Sequence, residues 1–237
     1  MDGVTEDCIL NGKLKLKQPQ CGYRIAIDPL ILASSVAINA NQSVLDVGCG
    51  VGTISLILKK RNESQIIDAI DIDSLMCSLC EQNAKDNNLE ISVSNHSVEH
   101  PLNKSYDCIV TNPPFYDHKN FRVSQTKTLA NFETVALDVW INFCIKHLNQ
   151  NGRFYIIHIP ERLSDILRCI KNHLGKIEIT SIHAYKDQCA KRIIVSAKKG
   201  SNEQLKILSP KIIHNSDGTF SEEMAKIMSG DFLDEIR

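Results

Sequence analysis

The sequence predicts an α/β fold built on a mainly parallel sheet with helices on both faces, and three observations predict it. Strand-type and helix-type apolar patterns alternate along most of the 237 residues, the order that parallel βαβ units require. An apolar strand pattern ends in a glycine-rich turn that opens a helix, over residues 44–53. Only residues 184–191 separate the last two strand patterns. A loop that short cannot make a parallel crossover, so the final pair is expected to run antiparallel.

The chain opens on a hairpin pattern over residues 7–17, in which Asn11-Gly12 suits the positive-φ positions of a type I′ turn. Its second arm alternates Lys and Leu, which places Lys13, Lys15 and Lys17 on one face. Such a row either protects a sheet edge from aggregation or contacts phosphate, and both readings stand. A helix follows with Asp28 as N-cap and Pro29 at its first position. Residues 1–40 therefore read as a hairpin-and-helix extension and 41–237 as the main domain. Strand patterns then fall at 43–47, 65–71, 91–94, 106–111, 153–159, 176–183 and 192–197. Helical spacing joins Phe132, Val135, Val139, Trp140, Phe143 and His147 in one stripe, and Leu163, Ile166, Ile170 and Leu174 in another. Both stripes, Trp140 included, read as core. A turn at Ser216-Asp217-Gly218 and a short helix at 222–228 close the chain without an assigned role.

Charge and cysteine usage limit the function classes. With 27 basic and 28 acidic side chains the net charge is −1, so no global cationic field recruits nucleic acid and any RNA contact must be a local strip. The 9 Cys are odd in number and scattered, as in a reduced, cytoplasmic protein. Cys77 and Cys80 form a lone C-x-x-C and read as small helix residues; no metal site is expected. No apolar run approaches the ~18 residues of a membrane span, and the acidic, polar start is unlike a signal peptide. A soluble, cytoplasmic chain is the expectation.

Three motifs carry chemistry. In Asp46-Val47-Gly48-Cys49-Gly50-Val51-Gly52-Thr53, glycines let a ligand approach the main chain closely. Thr53 stands where a dinucleotide fingerprint needs its third glycine. The turn looks instead like the acidic glycine loop of S-adenosylmethionine methyltransferases, in which Asp46 would orient the methionine end of the cofactor. In Ile70-Asp71-Ile72-Asp73, Asp71 ends the next strand and suits both ribose hydroxyls, whereas Asp73 suits a helix N-cap. In Thr111-Asn112-Pro113-Pro114-Phe115, two prolines past a strand end make a rigid corner at the ligand-binding edge of the sheet. Asn112 and the Pro113 carbonyl supply acceptors, and Phe115 a flat face for a planar ring. Two acceptors around one amine plus a stacking ring are what methylation of an exocyclic NH₂ requires.

Together these motifs resemble class I S-adenosylmethionine-dependent N-methyltransferases with an N-P-P-[FY] motif. The stretch Gly22-Tyr23-Arg24-Ile25-Ala26-Ile27-Asp28-Pro29-Leu30-Ile31-Leu32-Ala33 is similar to the G-Y-R-x-x-x-D-x-x-L-L-A stretch of the bacterial tRNA1(Val) adenine-N6 methyltransferase family. Segments around Phe121-Arg122, Asn131-Phe132-Glu133 and Gly218-Thr219-Phe220-Ser221-Glu222-Glu223 look like that family too. The resemblance implies a Rossmann-like, seven-stranded sheet with the last strand inserted antiparallel, and methyl transfer from S-adenosylmethionine to the N6 amine of an adenosine beside the anticodon. It implies cofactor contacts at Asp46, Gly48, Gly50, Gly52, Asp71 and Asn112, and catalysis at Asn112, Pro113, Pro114 and Phe115. Such proteins often hold the cofactor adenine with an acid; here Ser97 stands in that place, with Glu99 as the alternative. Lys13, Lys15, Lys17, Tyr23, Arg24 and Arg122 are candidate contacts to tRNA, and His118 reads as a solvated loop residue. The alternatives are an rRNA adenine-N6 or guanine-N2 methyltransferase, a protein glutamine N5-methyltransferase, and a non-catalytic binding module of the same fold. About forty residues before the glycine loop are too few for the separate substrate domain of the glutamine enzymes.

Overall fold

The computed structural model describes residues 3–20, 26–117, 132–133 and 135–234. Tyr23, Arg24, His118 and Arg122 lie outside the described residues. Strands β1 (Val4–Ile9) and β2 (Leu14–Pro19) form the expected hairpin. Its turn is longer than two residues: Leu10, Asn11 and Gly12 all take positive φ, because Leu10 must turn inward, where it is buried. Helix α1 (Asp28–Ser35) follows, with Pro29 in its first turn. Asp28 is not its N-cap; Ile27 takes that position, and the Asp28 carboxylate pairs with Arg192 instead.

The main sheet then builds from β3 (Ser43–Val47), α2 (Thr53–Arg61), β4 (Ile66–Asp71), α3 (Ser74–Asp86), β5 (Ser92–Asn95) and β6 (Tyr106–Thr111). The pair β7 (Tyr116–Asp117) and β8 (Phe132–Glu133) leads to α4 (Leu137–Lys146), β9 (Leu148–His158), α5 (Leu163–Ile170), β10 (Leu174–His183) and β11 (Ala190–Lys199). Short strands β12 (Lys206–Ile207) and β13 (Lys211–Ile212) and helix α6 (Glu222–Ser229) end the chain. The expected seven strands lie in the order β10-β11-β9-β6-β3-β4-β5, with β11 antiparallel to both its neighbours and the other pairings parallel. Two further strands, β12 and β13, add to the β10 edge, so among the described residues the sheet has nine. The first helical stripe overreaches at its start, since Phe132 sits in β8.

Side chains alternate across the sheet into two cores. Val44, Val110 and Ile157 pack with α1, α2, α6 and the hairpin leucines. Leu45, Ile109 and Phe154 pack with α4 and α5. The hairpin is also tied by amides: Asn83 on α3 and Asn87 at its C-cap each donate to and accept from a β2 peptide, at Lys17 and Lys15 respectively. This satisfies a strand edge that would otherwise lack partners. All five parallel strands β5, β4, β3, β6 and β9 end on the same edge, where an open α/β sheet binds ligands.

Candidate active site

The glycine turn sits between the carboxyl ends of β3 and β4. Gly48 (φ +72°), Gly50 (φ +54°) and Gly52 (φ +88°) all adopt the left-handed backbone that L side chains avoid. At two of them a side chain also has no room. A Cβ on Gly48 would lie 2.8 Å from the Trp140 ring, and one on Gly52 2.5 Å from the Cys80 sulfur. At Gly50 nothing lies within 4 Å. The turn therefore packs at its two ends and leaves open space over its middle.

Two carboxylates brace this turn. Asp71 accepts from the Gly50 amide at 2.9 Å with one oxygen and from the Asp73 amide at 2.9 Å with the other. With about four acceptor sites on a carboxylate, Asp71 keeps capacity for a ligand hydroxyl. Burial, the largest influence, raises its carboxyl above the ordinary range despite these bonds. Asp46 is fully buried; one oxygen accepts from the Ser55 amide at 3.1 Å and its hydroxyl at 2.7 Å. The other oxygen, Oδ1, is buried with no hydrogen-bond partner. Burial pushes the Asp46 carboxyl up to about 7, against the opposing Ser55 bonds. Asp73 caps α3 as expected, accepting from the Leu75 amide at 2.8 Å.

A cleft runs beside the turn, lined by Gly48, Asp71, Ile72, Ser97, Val98 and Trp140 among others. Ser97, and not Glu99, is on its wall; the Ser97 hydroxyl donates to Glu99 at 3.3 Å. Sequence reasoning does not place two of these residues on the wall. Ile72 is 59% exposed and offers its apolar side chain to this wall. Trp140 is half-buried and belongs to the wall as much as to the core: its ring closes on Gly48, and its indole N–H donates to the Thr111 hydroxyl at 2.9 Å. Thr111 in turn donates to the Val47 carbonyl at 2.8 Å. One chain of bonds thus ties the glycine turn to the residue before Asn112.

Asn112 follows β6, and its side-chain Oδ1 is buried with no hydrogen-bond partner. Phe115 departs from the open stacking face expected of it. It is 7% exposed, with the Arg192 guanidinium 4.5 Å over its ring and the His158 ring T-shaped to it at a centroid distance of 5.4 Å. The Arg192 Nε donates to Asp28 at 2.8 Å, so α1, β11 and the proline corner meet here. His158 is fully buried; burial, then the charges of Arg162 and Arg192, lower its imidazole to about 3, with only the Pro114 carbonyl opposing. It is neutral at physiological pH, and its Nδ1 accepts from the Ile159 amide at 2.9 Å. Sequence reasoning misses this cluster, although Asp28 stands inside the G-Y-R-x-x-x-D stretch.

The lysine row has intramolecular partners. Lys13 donates to the Gly230 carbonyl at 3.0 Å, and Lys17 pairs with Asp86 at 2.7 Å. Lys15 is exposed. Cys77 and Cys80 lie on the sheet-facing side of α3, both buried. Among the described residues no helix is long and apolar enough to cross a membrane.

This strand order and this turn define a class I, S-adenosylmethionine-dependent methyltransferase. The residues present fit that cofactor: an unpartnered buried carboxylate oxygen, open space over Gly50 and a carboxylate with free lone pairs sit together. Similar proteins agree. The model of the methyltransferase small domain family matches residues 24–186, and the chain belongs to that family. It is similar to the tRNA1(Val) (adenine(37)-N6)-methyltransferase of Aeromonas hydrophila, 27% identical over 90% of this chain and 92% of that protein. A protein of the same description from Haemophilus influenzae (strain PittGG) is 20% identical over 92% of this chain and 95% of its own. Among solved structures, an Agrobacterium tumefaciens protein described as a predicted O-methyltransferase superposes with TM-score 0.72 at 21% identity, covering 86% of this chain and 96% of that one. The 16S rRNA N2 methyltransferase of T. thermophilus, solved with AdoMet and guanosine, gives TM-score 0.59 at 17% identity over 83% of this chain and 50% of that one.

Proposed function

We propose that this chain methylates the exocyclic N6 amine of an adenosine in tRNA, the adenosine beside the anticodon. The observation that carries the reading is Asn112. A buried amide oxygen without a partner costs free energy unless a donor arrives to fill it. Placed after β6 and followed by two prolines, it is a rigid acceptor for one N–H of an amine.

S-adenosylmethionine supplies the electrophilic methyl group. The chain's own residues do the rest. Asp46 and the glycine turn hold the amino-acid end of the cofactor, Asp71 its ribose, and Ser97, Val98 and Ile72 its adenine. The acceptor amine is conjugated with its ring, so its lone pair is a weak nucleophile. Asn112 Oδ1, with the Pro113 carbonyl, accepts the amine hydrogens and turns the lone pair toward the methyl carbon. This is orientation and electrostatic work and needs no strong base. The neutral His158 beside the corner is consistent with that, since it holds shape without adding charge. The packing around Phe115 braces the Asn112 corner through Arg192 and Asp28.

The same amine chemistry would serve an rRNA base or a glutamine amide. Relatives named for tRNA adenine-N6 methylation, matched over more than nine-tenths of their own length, support tRNA over these. An adenosine next to the anticodon is already unpaired, so turning it into a pocket costs little. Incubating the purified chain with S-adenosylmethionine and unmodified total tRNA, then measuring nucleosides by mass spectrometry, should yield N6-methyladenosine. Methylated guanosine, or transfer only to rRNA or protein, would overturn the tRNA assignment.

A further inference from the structure

The β10–β11 loop and the tail beyond β11 together hold an arrangement that the proposed methyl transfer does not use. Tyr185, on the β10–β11 loop, lies against His214, with ring centroids 5.4 Å apart. His214 stacks on Phe220 at 5.3 Å with the ring planes 14° apart. The outer rings of this ladder are open: Tyr185 is 36% and Phe220 40% exposed. Phe, Tyr and Trp make up only 5% of the chain. Among the described residues, Tyr185 and Phe220 are the aromatic members of the exposed large hydrophobics, and both belong to this one ladder.

The ladder is rigidly built. β13 pairs with the end of β10, the His214 amide donates to the Ala184 carbonyl at 2.9 Å, and His214 and Phe220 form a β-bridge. The Asn215 side-chain amide donates to the Phe220 carbonyl at 3.0 Å, and Ser221 caps α6, whose Met224 and Ile227 are buried in the core. Exposed rings held this firmly lose little conformational freedom when a flat partner stacks on them.

Its location points to the partner. β10 runs parallel to β6, so the ladder stands on the same sheet edge as Asn112. Ile182 on β10 pairs with both Arg192 and Lys211, and Arg192 reaches over to Phe115. From β6 to β13 is four strand spacings, roughly 19 Å along the edge. The loop beside it carries the exposed Lys186 and Asp187, and the exposed Lys191 stands at the start of β11. Aromatic faces beside lysines, away from the reacting corner but on its edge, are what single-stranded RNA recognition uses.

We propose that the Tyr185–His214–Phe220 ladder is a base-stacking platform for unpaired nucleotides a few positions from the methylated one. This rests on the RNA reading above, and the test separates the two. The probe is an anticodon stem-loop RNA carrying 2-aminopurine at successive loop positions, with tRNA methylation followed in parallel. In the full chain, Phe220→Leu, which keeps apolar volume but removes the ring, and Tyr185→Ala should each raise KM for tRNA about tenfold. Both should leave the S-adenosylmethionine dissociation constant and the thermal midpoint near wild type. One or two 2-aminopurine positions should be quenched by the wild type and released by these variants, and Phe220→Trp should restore both quenching and KM. If the wild type methylates tRNA but KM in both variants stays within twofold and the quenching persists, the platform is wrong and the methylation reading stands. If the wild type transfers no methyl to tRNA, both fail together.

Discussion

The two halves of the site solve different problems with different materials. The half proposed to hold the cofactor is local: Asp46, the glycine turn, Asp71 and Ser97 come from successive strand ends between residues 46 and 97. The half proposed to hold the acceptor is assembled from afar, with Asp28, Phe115, His158 and Arg192 meeting across four segments of the chain. Each half buries a titratable group, and the two are displaced in ways that oppose each other. Burial holds a proton on Asp46 up to about 7 and keeps one off His158 down to about 3. In both halves burial favours the uncharged form, a protonated carboxyl in one and a neutral imidazole in the other.

The sharpest break between the halves should come from Asn112→Ala. Turnover should fall by about 10²-fold or more while cofactor affinity holds. Single-turnover rates beside calorimetric binding of S-adenosylmethionine would show it, and an equal fall in both would merge the two halves.

Asp71→Ala should do the reverse. Losing a charge-assisted anchor would raise the S-adenosylmethionine dissociation constant about 10- to 100-fold. It also frees the Gly50 amide, so the turn loosens. Turnover at saturating cofactor should change far less, and a large loss there would place Asp71 in the acceptor half.

Arg192→Met removes the cover from Phe115 and leaves the buried Asp28 carboxylate unpaired. Stability should fall by about 1–3 kcal/mol. Asp28→Asn in the same background should recover part of it, because the orphaned charge is gone. Denaturant midpoints for the two singles and the double close the cycle, and strict additivity would show that the pair is not coupled.

The smallest effect is in pH. His158 has a folded value below its usual 6.5, so the unfolded chain takes up a proton first as pH falls. Its contribution is present above about 6.5 and is lost on acidification toward 3. Asp46 has a folded value above its usual 3.8, so the unfolded chain releases its proton first as pH rises. Stability from that group therefore falls between about 4 and 7. Unfolding midpoints at about pH 5 and 7.5 should show Asp46→Asn gaining more at the higher pH, and His158→Gln losing less at the lower one. The same slope in both variants would refute the opposition.

Much of the cofactor half is legible in the sequence because its signals are short-range. Glycines spaced at 48, 50 and 52 declare a backbone that only glycine adopts freely, and each acid stands at a strand end that periodicity locates. Even there Trp140 is misread, because helical spacing says that a ring faces inward but not that its inward face meets Gly48. Asp28 is misread for the same kind of reason. Before a proline it looks like a cap, and only the position of β11 supplies the arginine that claims it.

By itself, then, the sequence determined the strand and helix alternation, the antiparallel final pair, the glycine turn and the proline corner, all of which follow from propensity and spacing over short stretches of chain. Tertiary structure alone decided that Phe115 is a covered ring rather than an open one, that two of three lysines are occupied within the chain, and that Tyr185, His214 and Phe220 form one stack. Those outcomes depend on which strands become neighbours, and pairing across a sheet is a long-range competition for buried area and hydrogen bonds that no local pattern encodes.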